Sequence, residues 1–340
     1  MEHSQHQVKP IAEQWKPRLE QVGGGCYAWL QPDGGWGLSN AGLIVGAGES
    51  LLVDTLFDLP HTRRMLTGLA APTEVAPIRT LVNTHGNGDH WFGNELVAEA
   101  EIIASTGTML DMQAVGPQDL VDLLAVPGPT GDYVRNIFGR YQFHDIEPSY
   151  PTRVYDRELA LQVGGVDVVL IDVGPAHTRG DTIVYCERDR VVYTGDIVFA
   201  GGTPIVWAGP FSNWISACER ILALGADRMV PGHGPVSPVA EVAKMVDYLE
   251  YVRDQAGSRF AAGMSADEAS ADIDLGPYAA WPESERLAVN VAAVYRELDS
   301  VAGPPPSGPA MFGCMAGLRA ANDLTSRGAE DGRFGWFGKA

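Results

Sequence analysis

Apolar and polar positions first alternate in short runs. "CYAWL" (26–30), "GLIVG" (42–46) and "LLVDT" (51–55) are apolar, the last two rich in branched residues and bounded by Gly, Asp and Ser turns. This pattern predicts an antiparallel meander. Over 60–70, "PHTRRMLTGLA", the spacing lengthens and predicts an amphipathic helix. "IRTLVNT" (78–84) then reads as a buried strand, and "EIIAS" (101–105) repeats strand after helix, so this half is α/β.

The pattern changes over 106–150, where "DLVDLLAV" and "YVRNIFGRY" predict helices around a turn at "PGPTGD", forming a helical insertion. From 152 to 196, "TRVYDRELALQVGGVDVVLIDVG", "DTIVYCERD" and "RVVYTGD" predict a second set of strands. A helix over 212–224 and a short strand at "DRMVPG" follow. Two further helices are expected, around "AEVAKMVDYLEYVRDQ" and "ESERLAVNVAAVYRELDS". The division expected is an N-terminal segment 1–24, a catalytic unit 25–236, a helical extension 237–300, and a Pro/Gly-rich, partly ordered tail 301–340.

Composition narrows the function classes. With 340 residues, 45% of them hydrophobic, the chain can bury a large core. Its 24 basic and 43 acidic side chains give a formal charge of -19, which argues against nucleic acid and anionic membrane surfaces as partners. No apolar run reaches the roughly 18 to 20 residues that span a bilayer, and the start lacks the layout of a signal peptide. The expectation is a cytoplasmic protein acting on a small molecule, with homo-oligomerisation left open. Cys26, Cys186, Cys218 and Cys314 lack C-x-x-C spacing and read as small buried apolar residues.

The candidate chemistry lies at strand ends. "LVNTHGNGDHWFGN" (81–94) brings His85, Asn87, Asp89 and His90 into six positions after an apolar run. His177 in "VGPAHTRGDT", Asp196 in "VVYTGDIVF" and His233 in "MVPGHGPV" occupy equivalent loops. One such histidine alone is usually a hydrogen-bonded surface or cap residue. Four such loops together are the inventory of imidazoles and carboxylates that a catalytic metal site needs. The glycine-rich "QVGGGC" and "DGGWG" do not run from strand to helix as a phosphate loop does, and "GLSNAG" is not a nucleophile elbow.

In the order "THGNGDH", "GPAHTRGD", "YTGD", "PGHGP", the chain resembles the metallo-β-lactamase superfamily, whose first motif is usually T-H-x-H-x-D-H. The resemblance runs from about residue 25 to 236. It implies an α/β fold, a four-layer αββα sandwich, here with a helical insertion and a helical C-terminal extension. It also implies that His85 and His177 hold a first metal, with Asn87 in the slot of the usual middle histidine. Asp89, His90 and His233 would hold a second, Asp196 would bridge the two, and Asp54 matches a recurring structural aspartate.

Asn87 is the departure, because an amide oxygen is a weaker and harder ligand than imidazole. Two readings follow: one tightly held zinc at the second group with a weak or harder ion (Mn or Fe) at the first, or an ordinary two-zinc site.

The resemblance implies a metal-dependent hydrolase in which activated water attacks an ester, thioester or lactone carbonyl, with Asp89 and Asp196 as the catalytic carboxylates. Softer likenesses in "GGWGLSNAGLIVG", "VDTLFD" and "VGPAHTRGD" are similar to the branch containing second-ring cyclases of aromatic polyketide biosynthesis. That leaves an intramolecular aldol cyclase, and also a non-catalytic relative, as alternatives. Trp207, Phe211 and Trp214, with Phe199, are candidate substrate contacts from "FAGGTPIVWAGPFSNW", and the insertion offers Tyr133, Tyr141 and His144.

Overall fold

The computed structural model describes residues 16–31, 33–299 and 307–331. In one sheet, β1 (Arg18–Gln21), β2 (Cys26–Leu30), β3 (Ala41–Val45) and β4 (Ser50–Val53) form an antiparallel meander. To it β5 (Ile78–Val82), β6 (Glu101–Ser105) and β7 (Arg153–Tyr155) are added in parallel. The second sheet holds β8 (Glu158–Val163), β9 (Val166–Asp172), β10 (Thr182–Cys186), β11 (Val191–Tyr193), β12 (Arg228–Val230) and β13 (Ser237–Pro238). Its strands run antiparallel except for the parallel pair β11 and β12.

Parallel neighbours cannot be joined by a tight turn, so helices make the crossovers. After β4 come α1 (Leu59–Gly68) and α2 (Ala70–Val75), two short helices where the sequence reads as one. After β6 come α3 (Thr106–Ala114), α4 (Pro117–Leu124) and α5 (Gly128–Phe138). Asp58 caps α1 by accepting from the His61 amide at 2.9 Å, and Ser105 caps α3 through the Thr108 amide at 3.1 Å. "PGPTGD", which reads as a turn, instead opens α5, with Pro129 in the first turn where its missing N–H costs nothing. Between β11 and β12 runs α6 (Phe211–Ala223); beyond β13 come α7 (Val242–Ala261), α8 (Ala266–Asp272), α9 (Leu287–Leu298) and α10 (Gly308–Asp331).

Alternation along the strands sorts side chains into layers. Ile44, Leu51, Val53, Val82 and Ile103 meet Val168, Leu170, Val184 and Val191 between the sheets. Their neighbours Leu43, Leu52, Leu81 and Ile102 pack outward against Met65 and Leu69 of the α1 region. On the far side Ile183, Tyr185 and Val192 pack under the helices that carry Trp214, Ile221, Val242, Leu249 and Val291. The order is helix, sheet, sheet, helix, and strands covered on both faces explain the continuous apolar runs in the sequence.

The C-terminal stretch departs from its composition. The tail expected over 301–340 has residues 301–306 and 332–340 outside the described residues, as are residues 1–15 of the N-terminal segment. Between them, "GPAMFGCMAGL" opens α10, and Met311, Phe312, Met315 and Leu318 join the core cluster that also holds Tyr133 and Phe138 of α5. Pro and Gly dominate the count, but those four residues recur at helical spacing and supply an apolar stripe. Met315→Ala is therefore expected to cost about 2–5 kcal/mol of global stability in denaturant unfolding. A helix lying loosely on the surface would show no loss.

Candidate metal centre

The strands deliver the site because β4, β5, β11 and β12 end at one edge of the sandwich. Asp54 follows β4, Thr84 to His90 follow β5, His177 precedes β10, Asp196 follows β11 and His233 follows β12. The sheets are tied there: the Thr182 amide donates to the Thr84 carbonyl at 2.7 Å and that of Asn40 to the Gly232 carbonyl at 2.7 Å. A 3-10 turn, Gly88–His90, folds Asp89 and His90 back towards β5.

Each imidazole is oriented by a bond through its Nδ1. His90 donates to Asp54 Oδ2 at 2.8 Å, His177 to the Ile205 carbonyl at 2.6 Å, and His233 to the Gly34 carbonyl at 3.0 Å. His85 donates to Thr84 Oγ1 at 3.0 Å, and that hydroxyl in turn donates to Asp54 Oδ2 at 2.7 Å. With all four Nδ1 atoms engaged, all four Nε2 atoms are left to face the centre. Asp54 also accepts from the Thr84 amide at 2.7 Å, and its backbone adopts φ +63°, a left-handed conformation that its three partners hold in place.

Around the centre, Asp196 Oδ2 lies 3.8 Å from His85 Nε2, 3.4 Å from His177 Nε2 and 3.3 Å from His233 Nε2, while its Oδ1 is 3.2 Å from His90 Nε2. Asp89 Oδ2 is 3.3 Å from His233 Nε2 and 3.9 Å from His90 Nε2. Two groups result, His85–His177–Asp196 and Asp89–His90–His233, whose ligand atoms each lie within 4.8 Å of one another. Asn87 stands beside the first group, its amide Nδ2 3.0 Å from His177 Nε2. The structure thus brings together His85, Asn87, Asp89, His90, His177, Asp196 and His233.

The electrostatics fit a cation. Asp196 is 4% exposed, and although burial opposes ionisation, His233, His90 and His85 hold its carboxyl well below the usual range. Burial likewise opposes charge on His90 and His233, but Asp196 and the other carboxylates outweigh it, raising His90 well above 6.5 and His233 to about 9. Burial pushes His177 down to about 4, and burial with the neighbouring His90 drives His85 well below 6.5. His85 Nε2, His90 Nε2 and Asp196 Oδ1 are buried with no hydrogen-bond partner. Buried polar atoms are rarely left so, and lone pairs of imidazole and carboxylate converging on one point suit a divalent metal ion.

Above the centre opens a cavity of about 740 Å³, with Asn87, Asp89, His177, Asp196 and His233 on its floor. Of the candidate substrate contacts, Phe199 and Trp207 line it. Phe211 and Trp214 do not: both are fully buried, and Trp214 packs its indole on His177 and donates to the Ile197 carbonyl at 3.0 Å. The loop after Asp196 turns into α6, which carries these two rings under the site rather than over it. His144 is exposed and away from the cavity, Tyr133 donates to Glu285 at 3.0 Å, and Tyr141 to the Trp36 carbonyl at 2.8 Å. The insertion reaches the cavity instead through Asp111 of α3, Asp119, Leu120, Asp122 and Leu123 of α4, and Phe138 of α5.

Trp36, Arg286, Met311 and Phe312 also line it and were not singled out by sequence. For the last two the helical stripe of α10 was the available signal; a lone Trp and a lone Arg gave none. Among the described residues a further cluster, Cys26, Cys186 and Asp189, forms at the opposite end of the sheets, where Asp189 is already held by the Gly25 amide at 2.6 Å and by Arg188.

A sandwich that converges buried imidazoles and carboxylates on one edge defines a metal-binding αββα protein. Residues 34–233 match the family described as the metallo-beta-lactamase superfamily, and the chain belongs to that metal-dependent family. It is 27% identical over 225 residues to the alpha subunit of a 2,4-dinitroanisole O-demethylase from Nocardioides sp., covering 65% of this chain and 59% of that protein. It is 25% identical over 211 residues to an acyl-coenzyme A thioesterase of Gallus gallus, covering 57% of this chain and 72% of that one. The stereoselective inverting sec-alkylsulfatase from Pseudomonas sp. superposes with a TM-score of 0.64 at 16% identity, covering 84% of this chain and 51% of that chain. The chain thus spans 59% and 51% of the demethylase subunit and the sulfatase. No helix among the described residues is long and apolar enough to cross a membrane.

Two glycines are required by the geometry. Gly34, with φ +65°, passes so close to the Gly234 amide that a Cβ would lie 2.5 Å from it. A Cβ on Gly232 would overlap Asp196 Oδ1 and lie 2.8 Å from the Asp196 nitrogen. Gly232→Ala is expected to cost about 1–3 kcal/mol in denaturant unfolding through this overpacking, with metal retention falling alongside. Unchanged stability and metal content would show that the Asp196 loop is looser than its packing indicates.

Proposed function

We propose that the protein is a metal-dependent hydrolase that directs water at an ester, thioester or lactone carbonyl. The observation that carries this is the placing of the Asp196 carboxylate between two histidine groups whose Nε2 atoms all face it. In this reading His85, His177 and Asn87 hold one ion, Asp89, His90 and His233 hold the other, and Asp196 serves both. The fully imidazole and carboxylate second group takes zinc tightly; the group containing Asn87 takes its ion weakly, or takes a harder one such as Mn or Fe.

When bound, a divalent ion supplies Lewis acidity, polarising the acyl oxygen and bringing water into the nucleophilic range near neutral pH. The chain supplies the rest. Asp89 and Asp196, both lining the cavity floor, orient the water and accept its proton as the oxygen–carbon bond forms. The proton then passes to the leaving oxygen or sulfur as its bond to the acyl carbon breaks. Asp54 and Thr84 keep His90 and His85 from rotating, so the geometry is set before substrate arrives. The thioesterase among the relatives supports hydrolysis of this general kind.

Chelation followed by dialysis is expected to abolish turnover of chromogenic esters and N-acetylcysteamine thioesters, and added zinc to restore it. His90→Ala should lower kcat/KM about a hundredfold or more, consistent with loss of a direct metal contact. Turnover indifferent to chelator and to His90→Ala would sink the proposal. Plasma mass spectrometry tests the asymmetry separately: the natural protein should retain one tightly bound zinc per chain, and Asn87→His should raise that to two. Two tightly held zinc ions in the unaltered protein would make Asn87 a neutral replacement.

A further inference from the structure

The cavity is apolar in its walls and acidic at its mouth. Phe57, Phe138, Trp36, Trp207, Met311 and Phe312 line it, and three of these rings form a cluster, Trp36 to Trp207 at 6.5 Å, Trp207 to Phe312 at 5.7 Å and Trp36 to Phe312 at 5.9 Å. The Arg286 guanidinium, 2% exposed, lies 4.1 Å over the Trp36 ring and donates to the Thr203 carbonyl at 2.7 Å, so its charge is spent within the wall and is not offered to a ligand.

The charge at the rim points the same way. Asp111, Asp119 and Asp122 line the cavity, against Arg179 and Arg286 among the described residues. Both cations are already paired, Arg179 with Asp111 at 3.3 Å and Arg286 with Glu283 at 2.7 Å. Asp119 and Asp122, exposed on α4, face no lining cation, in a chain of formal charge -19. A leaving group rich in phosphate would be repelled as it entered.

We infer that the ligand is an uncharged, largely apolar and planar acyl compound, and that a nucleotide-bearing thioester such as a coenzyme A ester is excluded by the acidic mouth. The inference rests on the hydrolase reading for its reactive group, but the ligand class follows from the cavity alone. Its ring system packs against Trp36, Trp207, Phe312 and Phe57.

Two non-hydrolysable probes test it by calorimetric titration of the full-length, metal-loaded protein: one methoxynaphthylmethyl thioether carried on N-acetylcysteamine, and the same group carried on coenzyme A. The neutral probe should bind at least about tenfold more tightly at low salt, with the gap narrowing as ionic strength rises. Replacing Asp119→Asn together with Asp122→Asn should narrow it as well, by strengthening binding of the coenzyme A probe alone. Trp207→Ala removes one ring of the wall and should weaken both probes about three- to tenfold. Equal or tighter binding of the coenzyme A probe overturns the charge argument. Indifference of both probes to Trp207→Ala and to Trp36→Ala overturns the stacking argument. If both probes behave as expected and neither the matching ester nor the thioester is hydrolysed, the hydrolase reading falls and the ligand class stands.

Discussion

The structure depends on the burial of Asp196 among four imidazoles. A carboxylate in that position is costly unless positive charge sits beside it, and the four Nε2 atoms between 3.2 and 3.8 Å away mark where that charge belongs. Protons on His90 and His233 can supply part of it, and a divalent ion would displace them. Much of the surrounding architecture serves to keep this constellation rigid. Asp54 fixes His90 and, through Thr84, His85; backbone carbonyls of Ile205 and Gly34 fix His177 and His233. The twin sheets matter because only strands ending at a common edge can gather loops so far apart in the chain.

Asn87 breaks the symmetry of that arrangement. Its amide reaches His177, so it occupies the place beside the first histidine group, but it brings neither the basicity nor the softness of imidazole. Asp89 and His90, two and three positions further on, belong to the other group, which keeps a full set of strong ligands. One short turn thereby feeds both halves of the centre with groups of unequal strength.

The C-terminal helices are part of the site's walls. Glu283 accepts from the Trp36 amide at 2.8 Å, Arg286 lies over the rings of Trp36 and Phe199, and Phe199 stacks at 5.1 Å on His233. Packing thus links the extension to a residue of the centre, while α10 closes the cavity with Met311 and Phe312. The sandwich edge supplies the candidate metal ligands and the helices added around it supply the cavity walls, a division that lets one fold carry many reactions.

The sequence by itself determined the strand and helix periodicity of the sandwich, and it placed every histidine and carboxylate of the centre in loops after or before strands. Those signals are local: an apolar run, a turn, and a ligating side chain within a few residues. It could not determine which aromatic residues face the ligand. Trp207 and Trp214 sit seven positions apart in one segment, yet one lines the cavity and the other packs on His177, because α6 begins between them at Phe211 and carries Trp214 on its buried face. Nor could it show that α10 is integral, since the apolar stripe of Met311, Phe312, Met315 and Leu318 acquires meaning only when α5 is found opposite it. The pairing of Arg286 with Trp36, 250 residues apart, was decided by tertiary packing alone, because side-chain contacts across that separation leave no trace in local pattern.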